Sequence, residues 1–352
     1  MIKTEIICFI LYIEEGNRMG KGNTKILILS QKEIENLMSD HIEDGMKYVE
    51  EAFIERSKKG VMLPVKISQI FNEETQERLN CMPATLLNEK ICGVKWVSVF
   101  PPNPKKGLKN VIGQILLSEI ENGYPIAFMD GTWCTAFRTA AVGAIASKYL
   151  AKRVCEKIGF IGAGEQARMH FKLIKKIHPE IKKCYVASHT KKREEEFVEE
   201  LEKEFCDVEF SMCESNYQKA AEGVDIIVTA TSTQAELLKA DWISEGTLYI
   251  HVGGWEDEYK VVMKADKIIC DEWDAVKHRA QTVSRMYQEG IITDKDIYAD
   301  FAEVITGKKQ GRINEKEFIY FNSVGLAYID IYLAYQIYKH ANTMKIGKVY
   351  EL

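Results

Sequence analysis

The sequence lacks the features that mark membrane proteins and nucleic-acid-binding proteins. No apolar run approaches the roughly 20 residues that span a bilayer, and the longest run near the start, residues 6–13, has neither a basic leader nor a cleavage site. The net charge is −5, and lysines and arginines are interspersed with acids, so no basic face is indicated. We therefore expect neither a membrane nor a nucleic acid as a partner.

Paired cysteine motifs are also absent. None of the cysteines has C-x-x-C spacing and no histidine cluster lies near them, so we predict no metal site. Single thiols in apolar surroundings are typical of inert, buried cysteines, and they favour a reducing cytoplasm. The nine cysteines are Cys8, Cys81, Cys92, Cys134, Cys155, Cys184, Cys206, Cys213 and Cys270.

Regular patterns begin only at Lys25, and the residues before it look foreign to the fold. Met19 closely follows Glu14-Glu15-Gly16, whose codons can spell a ribosome-binding site. We hypothesise that translation begins at Met19, that residues 1–18 are not native, and that the whole of 1–24 is a non-native or disordered extension. An intact mass of the natively expressed protein that begins at Met1 would refute this.

With 352 residues, 46% of them hydrophobic, the chain is long enough for two domains. In residues 25–150 the pattern predicts a short strand, a helix over 31–58, several short β-strands and a second helix. This second helix is rich in small residues, which permit close packing of its backbone on a neighbour. From 152 short strands alternate with helices, which is typical of a parallel, doubly wound sheet. Beyond Thr282 we expect helices, with the apolar stretch 325–338 packing back across both domains.

The predicted fold class is therefore α/β. A Rossmann doubly wound domain covers residues 151–309, and an α+β domain covers 25–150. C-terminal helices within 310–352 pack back on the first domain and complete it.

A glycine-rich turn follows the strand 157–161 and opens a helix. Its G-x-G-x-x-A spacing suits a dinucleotide: the first glycine makes the turn, the second lets the backbone approach a pyrophosphate, and the small third residue lets helix and strand pack. The helix start offers free N–H groups to phosphates. The alternative is a tight turn without a ligand. The predicted contacts are Gly162, Ala163, Gly164, Glu165, Gln166 and Ala167.

The end of the second strand bears on the choice of cofactor. An acid there would bond the ribose of NAD(H), but none occurs before Glu194. Hydroxyl, imidazole and cationic side chains suit a 2′-phosphate, so we favour NADP(H) over NAD(H); a solvated basic helix start is the alternative. The residues concerned are Ser188, His189, Thr190 and Lys191, and Thr231 and Ser232 after a later strand are expected to wall the nicotinamide.

Two cations before the Rossmann half are candidates for binding a substrate. Lys95 lies in the middle of an apolar β run, and it faces either solvent or a cleft. Arg138 lies near the start of the small-residue helix, where its planar guanidinium can chelate a carboxylate or lie on the surface.

These segments resemble the ornithine cyclodeaminase and mu-crystallin family over nearly the whole chain from Lys25. The likeness rests on six motifs in the right order. They are Cys81-Met82-Pro83-Ala84, Gly93-Val94-Lys95, Asn103-Pro104 with Gly107-Leu108, the T-x-x-R-T-A-A stretch around Arg138, the Gly162 turn, and Ser323-Val324-Gly325-Leu326-Ala327.

The resemblance implies a homodimer, with a substrate and dimerisation domain preceding the Rossmann domain. It implies that Lys95 and Arg138 hold the carboxylate of a small amino or imino acid, with Lys66 where many members carry an arginine. Lys95, its pKa lowered by burial and neighbouring cations, is the candidate for proton transfer. Further cofactor contacts are expected at Asn110, Thr231, Gly253 and Ser323.

The sequence departs from the ornithine enzymes at two positions. Trp255 stands where they carry an aspartate, and Asn80 where we expect another acid; Glu256 or Asp257 could substitute catalytically if the loop is shifted. The conventional assignment is conversion of ornithine to proline and ammonia. The alternatives are a ketimine reductase or an amino-acid or opine dehydrogenase with net redox turnover, and a non-catalytic binding protein of the mu-crystallin kind.

Overall fold

The computed structural model describes residues 24–352, so the hypothesis that translation begins at Met19 lies outside the described residues. Two eight-stranded sheets dominate this part of the chain, and a two-stranded sheet lies beside the second. Within residues 24–352 no helix is both long and apolar enough to cross a membrane.

The first sheet is largely antiparallel and has the order β18-β1-β7-β6-β5-β4-β2, with β3 paired to β4. Chain direction reverses at each short turn from β3 to β7, while β1 pairs with β7 in parallel. The strands are β1 (Lys25–Leu29), β2 (Val61–Met62), β3 (Ile67–Asn72), β4 (Glu77–Leu86), β5 (Ile91–Val99), β6 (Val111–Glu119), β7 (Pro125–Asp130) and β18 (Lys348–Glu351).

Helices cover one face of this sheet. They are α1 (Gln31–Ser39), α2 (Ile42–Ser57), α3 (Thr132–Leu150) and α11 (Ala327–Met344). The single helix expected over 31–58 is two helices, because the chain leaves the helical path at His41 and restarts at Ile42. Ser39 and Asp40, both weak helix formers, precede the break. The apolar stretch 325–338 packs back as α11, but its main contacts are with α2, α3, β4 and β5 of the first domain and not across both domains as expected.

The second sheet is entirely parallel and has the order β10-β9-β8-β11-β13-β17-β15-β16. Since β9 and β10 follow β8 on one side, while the chain crosses to the other side for β11 and β13, the switch point lies between β8 and β11, where such folds bind ligands. The strands are β8 (Lys157–Ile161), β9 (Lys183–Ala187), β10 (Glu209–Met212), β11 (Ile226–Thr229), β13 (Leu248–His251), β15 (Lys267–Cys270), β16 (Ala299–Asp300) and β17 (Ile319–Asn322).

Short helices connect these strands. They are α4 (Glu165–Ile177), α5 (Lys191–Leu201), α6 (Tyr217–Ala221), α7 (Tyr259–Lys264), α8 (Trp273–Val276), α9 (Thr282–Gln288) and α10 (Phe301–Ile305). Strands β12 (Gln234–Leu238) and β14 (Trp255–Asp257) form the small parallel sheet.

The expectation that the chain is helical beyond Thr282 was wrong at β16, β17 and β18. Strand β17 inserts between β13 and β15, and all four of its residues are buried. Its aromatic and β-branched residues favour a strand, and two parallel neighbours satisfy its backbone. Part of the segment 310–352, which we assigned to the first domain, therefore lies in the second sheet.

Helices α3 and α4 bring the two domains together. A Cβ at Gly143 of α3 would lie 2.6 Å from the ring of His170 on α4, so the two helices pack at this glycine as the small-residue pattern predicted. Burial lowers the pKa of His170 to about 4, which keeps the ring neutral in this contact. The resulting interface places the start of α3 next to the carboxyl edge of the second sheet, since the Gln166 amide donates to the Ala136 carbonyl at 3.5 Å.

Candidate functional site

The glycine-rich turn lies at the switch point of the second sheet. Gly162 has φ +106° and its N–H donates to the Ala187 carbonyl at 2.8 Å. A Cβ there would lie 2.6 Å from the Ala230 carbonyl oxygen, so only glycine fits between β9 and β11. Ala167 is fully buried where α4 meets β8. These are the roles that the spacing assigned to the first and third positions of the motif.

The start of α4 fits the phosphates of a dinucleotide. Gly164 is its N-cap, and within residues 24–352 no side chain caps the free N–H groups and nothing lies within 4 Å of a Cβ built at Gly164. An uncapped helix start with open space before it is an anion site. Gln166 Oε1 is buried without a hydrogen-bond partner within residues 24–352. Glu165, the first residue of α4, is exposed.

The acid nearest to the end of β9, Glu194, points into the protein interior. Glu194 is fully buried, and its carboxylate accepts from the backbone N–H groups of Ser188, Glu214 and Ser215, each at 2.8 Å. Ser188 is buried beside it, whereas His189, Thr190 and Lys191 are exposed. The side chains available to an adenosine ribose here are thus hydroxyl, imidazole and ammonium groups.

Glu256 and Asp257, which we expected to be able to act in catalysis, lie inside the second domain. Glu256 accepts from Thr229 Oγ1 at 2.8 Å, from the Gly253 N–H at 2.9 Å and from the Thr231 N–H, so it ties together the loops after β11 and β13. Ser232, next to Thr231, is exposed. The Glu256 carboxylate therefore positions these loops and faces away from solvent.

Asp257 accepts from Thr282 Oγ1 at 2.6 Å and from the Tyr320 hydroxyl at 3.3 Å. Burial raises its pKa to about 6. Within residues 24–352 neither Glu256 nor Asp257 forms an ion pair with Lys95 or Arg138. The shifted loop that would make either carboxylate a substitute for the missing aspartate is not seen.

Trp255 is half-buried, and the guanidinium of Arg285 lies 4.5 Å from its ring centroid. Its indole N–H has no acceptor among the described residues. The tryptophan thus presents an apolar wall and one donor where the ornithine enzymes present a carboxylate.

A buried ion-pair cluster lies where β5, α3 and α11 meet. Lys95 Nζ lies 2.8 Å from Asp330 Oδ2, and Arg138 Nε donates to Asp330 Oδ1 at 2.8 Å. Burial and the charge of Arg138 outweigh Asp330 and lower the pKa of Lys95 to about 8. Lys95 therefore faces the interior and not solvent, and it can exchange a proton near neutral pH.

The loop that follows β17 holds Arg138 in place. Gly325 has φ +76°, and a Cβ there would lie 2.4 Å from the Arg138 guanidinium. Asp271, at the end of β15, accepts from Ser323 Oγ at 3.1 Å and from the N–H groups of Val324 and Gly325. Ser323 is thus bound to Asp271, and its backbone forms part of the cradle for Arg138.

Lys66 and Asn80 approach the same cluster from the first sheet. Lys66, which precedes β3, is half-buried; burial and the charges of Arg279, Arg78, Lys95 and Arg138 lower its pKa to about 7. Asn80 is buried and accepts from Ser68 Oγ at 2.8 Å. Asn110 is half-buried, and its Oδ1 is without a partner in the described chain.

Three residues of this region escaped the sequence analysis: Arg78, Arg279 and Asp330. Asp330 is an isolated acid in the apolar stretch 325–338, and a buried carboxylate requires a cationic partner. Arg279 follows the carboxyl end of β15, the edge at which doubly wound sheets bind ligands. These signals are present in the sequence, although neither identifies the residue or ligand with which Asp330 or Arg279 interacts.

A doubly wound sheet with a glycine-rich turn at its switch point, facing buried cations from a second domain, is typical of enzymes that use a nicotinamide dinucleotide. The chain belongs to the ornithine cyclodeaminase/mu-crystallin family, whose model matches residues 24–345. The resemblance drawn from the motifs is thereby confirmed, as is the α/β fold class.

Known proteins similar to this chain include dehydrogenases and reductases as well as cyclodeaminases. An alanine dehydrogenase of Archaeoglobus fulgidus is 33% identical over 91% of this chain and 97% of that protein. The Delta(1)-pyrroline-2-carboxylate reductase of Thermococcus litoralis, solved with NADH and L-proline, has a TM-score of 0.87 and 33% identity, covering 92% of this chain and 99% of that one. An archaeal alanine dehydrogenase dimer with bound NAD has a TM-score of 0.85 and 32% identity, covering 93% and 99%.

Proposed function

We propose that this protein is an imino-acid reductase or amino-acid dehydrogenase with net redox turnover. The observation that carries the proposal is the placement of the acids. Asp330 is paired with Lys95 and Arg138, while Glu256 and Asp257 are bonded inside the second domain. No carboxylate of this set is free to bind a distal ammonium, which a cyclodeaminase must hold while its imine is attacked.

The nicotinamide dinucleotide supplies or accepts a hydride when it is bound. The chain itself orients the substrate. Lys95, Arg138 and Lys66 neutralise the carboxylate next to the reacting carbon, and this holds the reacting carbon at the carboxyl edge of the second sheet. In the reductive direction the imine carbon gains a C–H bond, and Lys95 gives its proton to the substrate nitrogen. In the oxidative direction neutral Lys95 removes that proton. A lysine with a pKa of about 8 serves both directions.

Absorbance at 340 nm on mixing protein, dinucleotide and substrate separates the candidate reactions. We expect a net change proportional to the substrate consumed, with small amino acids and oxidised cofactor or with cyclic imines and reduced cofactor. A cyclodeaminase regenerates its cofactor, so release of ammonia from ornithine without a net change would replace this proposal with the conventional assignment. Saturable ligand binding with neither signal would identify a binding protein of the mu-crystallin kind.

We also propose a preference for NADP(H). It is supported by the side chains of Ser188, His189, Thr190 and Lys191 and by the inward turn of Glu194. Titration by energy transfer from tryptophan should give a lower Kd for NADPH than for NADH. Tighter binding of NADH would mean that the basic run is only a solvated helix start.

The same proposal includes a homodimer formed through the uncovered face of the first sheet. Ile67, Trp96, Ile112 and Phe128 are exposed apolar residues on strands β3, β5, β6 and β7, opposite the helical layer. An apolar sheet face of this extent is typical of an interface. Sedimentation velocity should give twice the monomer mass, and a monomer at micromolar concentration would contradict it.

A further inference from the structure

Two arginines outside the proposed carboxylate clamp approach it, one from each domain. Arg78 lies on β4, where it shares a strand face with Asn80 and Met82, and Met82 is the register partner of Lys95 on β5. Since side chains two apart on a strand point the same way, Arg78 lies on the face that carries Lys95. Arg279 follows α8 at the carboxyl edge of the second sheet.

The positive charges of these two arginines repel each other. The positive charge of Arg279 lowers the pKa of Arg78, after the effect of burial, and both guanidinium groups lower the pKa of Lys66. Within residues 24–352 neither arginine forms an ion pair; Arg78 donates to the Gln76 carbonyl at 2.8 Å, and Arg279 Nε is buried without an acceptor. The two half-buried guanidinium groups thus lack an acidic partner, and the repulsion between their charges favours an anion bound between them.

No acid within residues 24–352 fills this role. Both oxygens of Asp330 are taken by Lys95 and Arg138. Asp271 raises the pKa of Arg279 through its charge, but it lies beyond ion-pair distance and accepts from the Ser323–Gly325 loop. The dinucleotide phosphates are accounted for by the start of α4, on a different loop of the sheet edge.

The cluster therefore holds more positive charge than one substrate carboxylate balances. Among residues 24–352 it contains five basic side chains and one acid paired with them, Asp330; the basic residues are Lys66, Arg78, Lys95, Arg138 and Arg279. An α-carboxylate is satisfied by Lys95, Arg138 and Lys66. Arg78 and Arg279 remain, and two guanidinium groups without acidic partners can together bind one carboxylate.

We propose that the substrate is an amino or imino dicarboxylic acid, whose second carboxylate binds between Arg78 and Arg279. This proposal rests on the proposed function and narrows its substrate class. Arg78 and Arg279 are then specificity-determining residues, while Lys95 and Arg138 serve every substrate.

The test compares acids of equal chain length that differ by one carboxylate. Succinate and butyrate, and glutarate and pentanoate, are titrated into the full chain with saturating dinucleotide by isothermal calorimetry. We expect each dicarboxylate to bind at least tenfold more tightly than its partner. Arg78→Gln and Arg279→Gln should each remove most of that advantage, because each should weaken the binding of succinate far more than it changes the affinity for butyrate. Arg153→Gln, an exposed arginine remote from the cluster, is the matched control and should change neither.

Arg138→Lys provides the contrast, because it should weaken monocarboxylates and dicarboxylates alike. Equal affinity of the wild type for succinate and butyrate would overturn the proposal, as would an advantage that survives in both glutamine variants. Melting curves establish that each variant is folded. The comparison measures binding, so a preference for dicarboxylates can be found even if no absorbance change at 340 nm occurs. Conversely, turnover of monocarboxylic amino acids without such a preference would support the proposed function and contradict the dicarboxylate proposal.

Discussion

Lys95→Met is expected to lower kcat/KM on the order of 10³-fold, with cofactor affinity nearly unchanged. The substitution removes both a cation of the carboxylate clamp and the proton-transfer group, and general acid–base catalysis alone contributes about 10²- to 10⁴-fold. Methionine fills the fully buried volume without a charge, and Arg138 still pairs with Asp330. Steady-state kinetics on any accepted substrate give the value.

The pH profile separates loss of proton transfer from loss of packing. The pKa of Lys95 is about 8, so its charged form predominates below that pH. In the reductive direction kcat/KM should fall as the pH rises through about 8, and in the oxidative direction it should rise toward that pH. The limb at about pH 8 should be absent in Lys95→Met in both directions, which leaves only the loss of charge on Lys66, whose pKa is about 7.

Lys90→Met is the matched control, since Lys90 is exposed at the turn that leads into the same strand. It should retain the profile and stay within twofold of the wild-type rate. If Lys95→Met behaved in the same way, the catalytic assignment of Lys95 would fail, and with it the placement of the substrate.

Gly164→Asp is expected to weaken dinucleotide binding by well over tenfold, more than about 1.4 kcal/mol. The new side chain would enter the open space before α4, where a Cβ meets nothing within 4 Å, and would place a negative charge where a phosphate binds. Aspartate is also a better N-cap than glycine, so the melting temperature should stay the same or rise slightly. Loss of affinity together with retained stability is a result that misfolding does not produce.

The neighbouring Gly162 would not give so clear a test, because a side chain there would collide with the Ala230 carbonyl oxygen at 2.6 Å. Gly164→Asn is the better control. It has nearly the shape of aspartate without the charge, so its loss of affinity should be smaller. Unchanged Kd values for NADPH and NADH in folded Gly164→Asp would remove this loop from the cofactor site.

The tertiary structure changed the interpretation of residues whose partners are distant in sequence. The pattern after β13 gave Glu256 and Asp257 as possible catalytic acids, but their orientation depends on contacts with Thr229, Thr282 and Tyr320. Strand β17 has a sequence that suits a strand, yet only its two parallel neighbours determine that it belongs to the second sheet.

The sequence by itself determined the features that depend on local geometry. The spacing of Gly162, Gly164 and Ala167 after a strand is sufficient to predict the turn, because each position requires a small residue for a steric reason that neighbours in sequence impose. The alternation of short strands and helices was likewise sufficient for the doubly wound sheet. The composition of the α3 segment predicted its close packing.

Only the tertiary structure decided how the charges are balanced. Asp330 lies 192 positions from Arg138 along the chain, and Arg78 and Arg279 come from different domains. Which cation meets which acid depends on how β4, β5, α3 and α11 pack against the second sheet, and electrostatic energy follows distance and burial rather than sequence spacing. The sequence shows which residues are charged, whereas the fold brings the excess of positive charge together around Lys95 and Arg138.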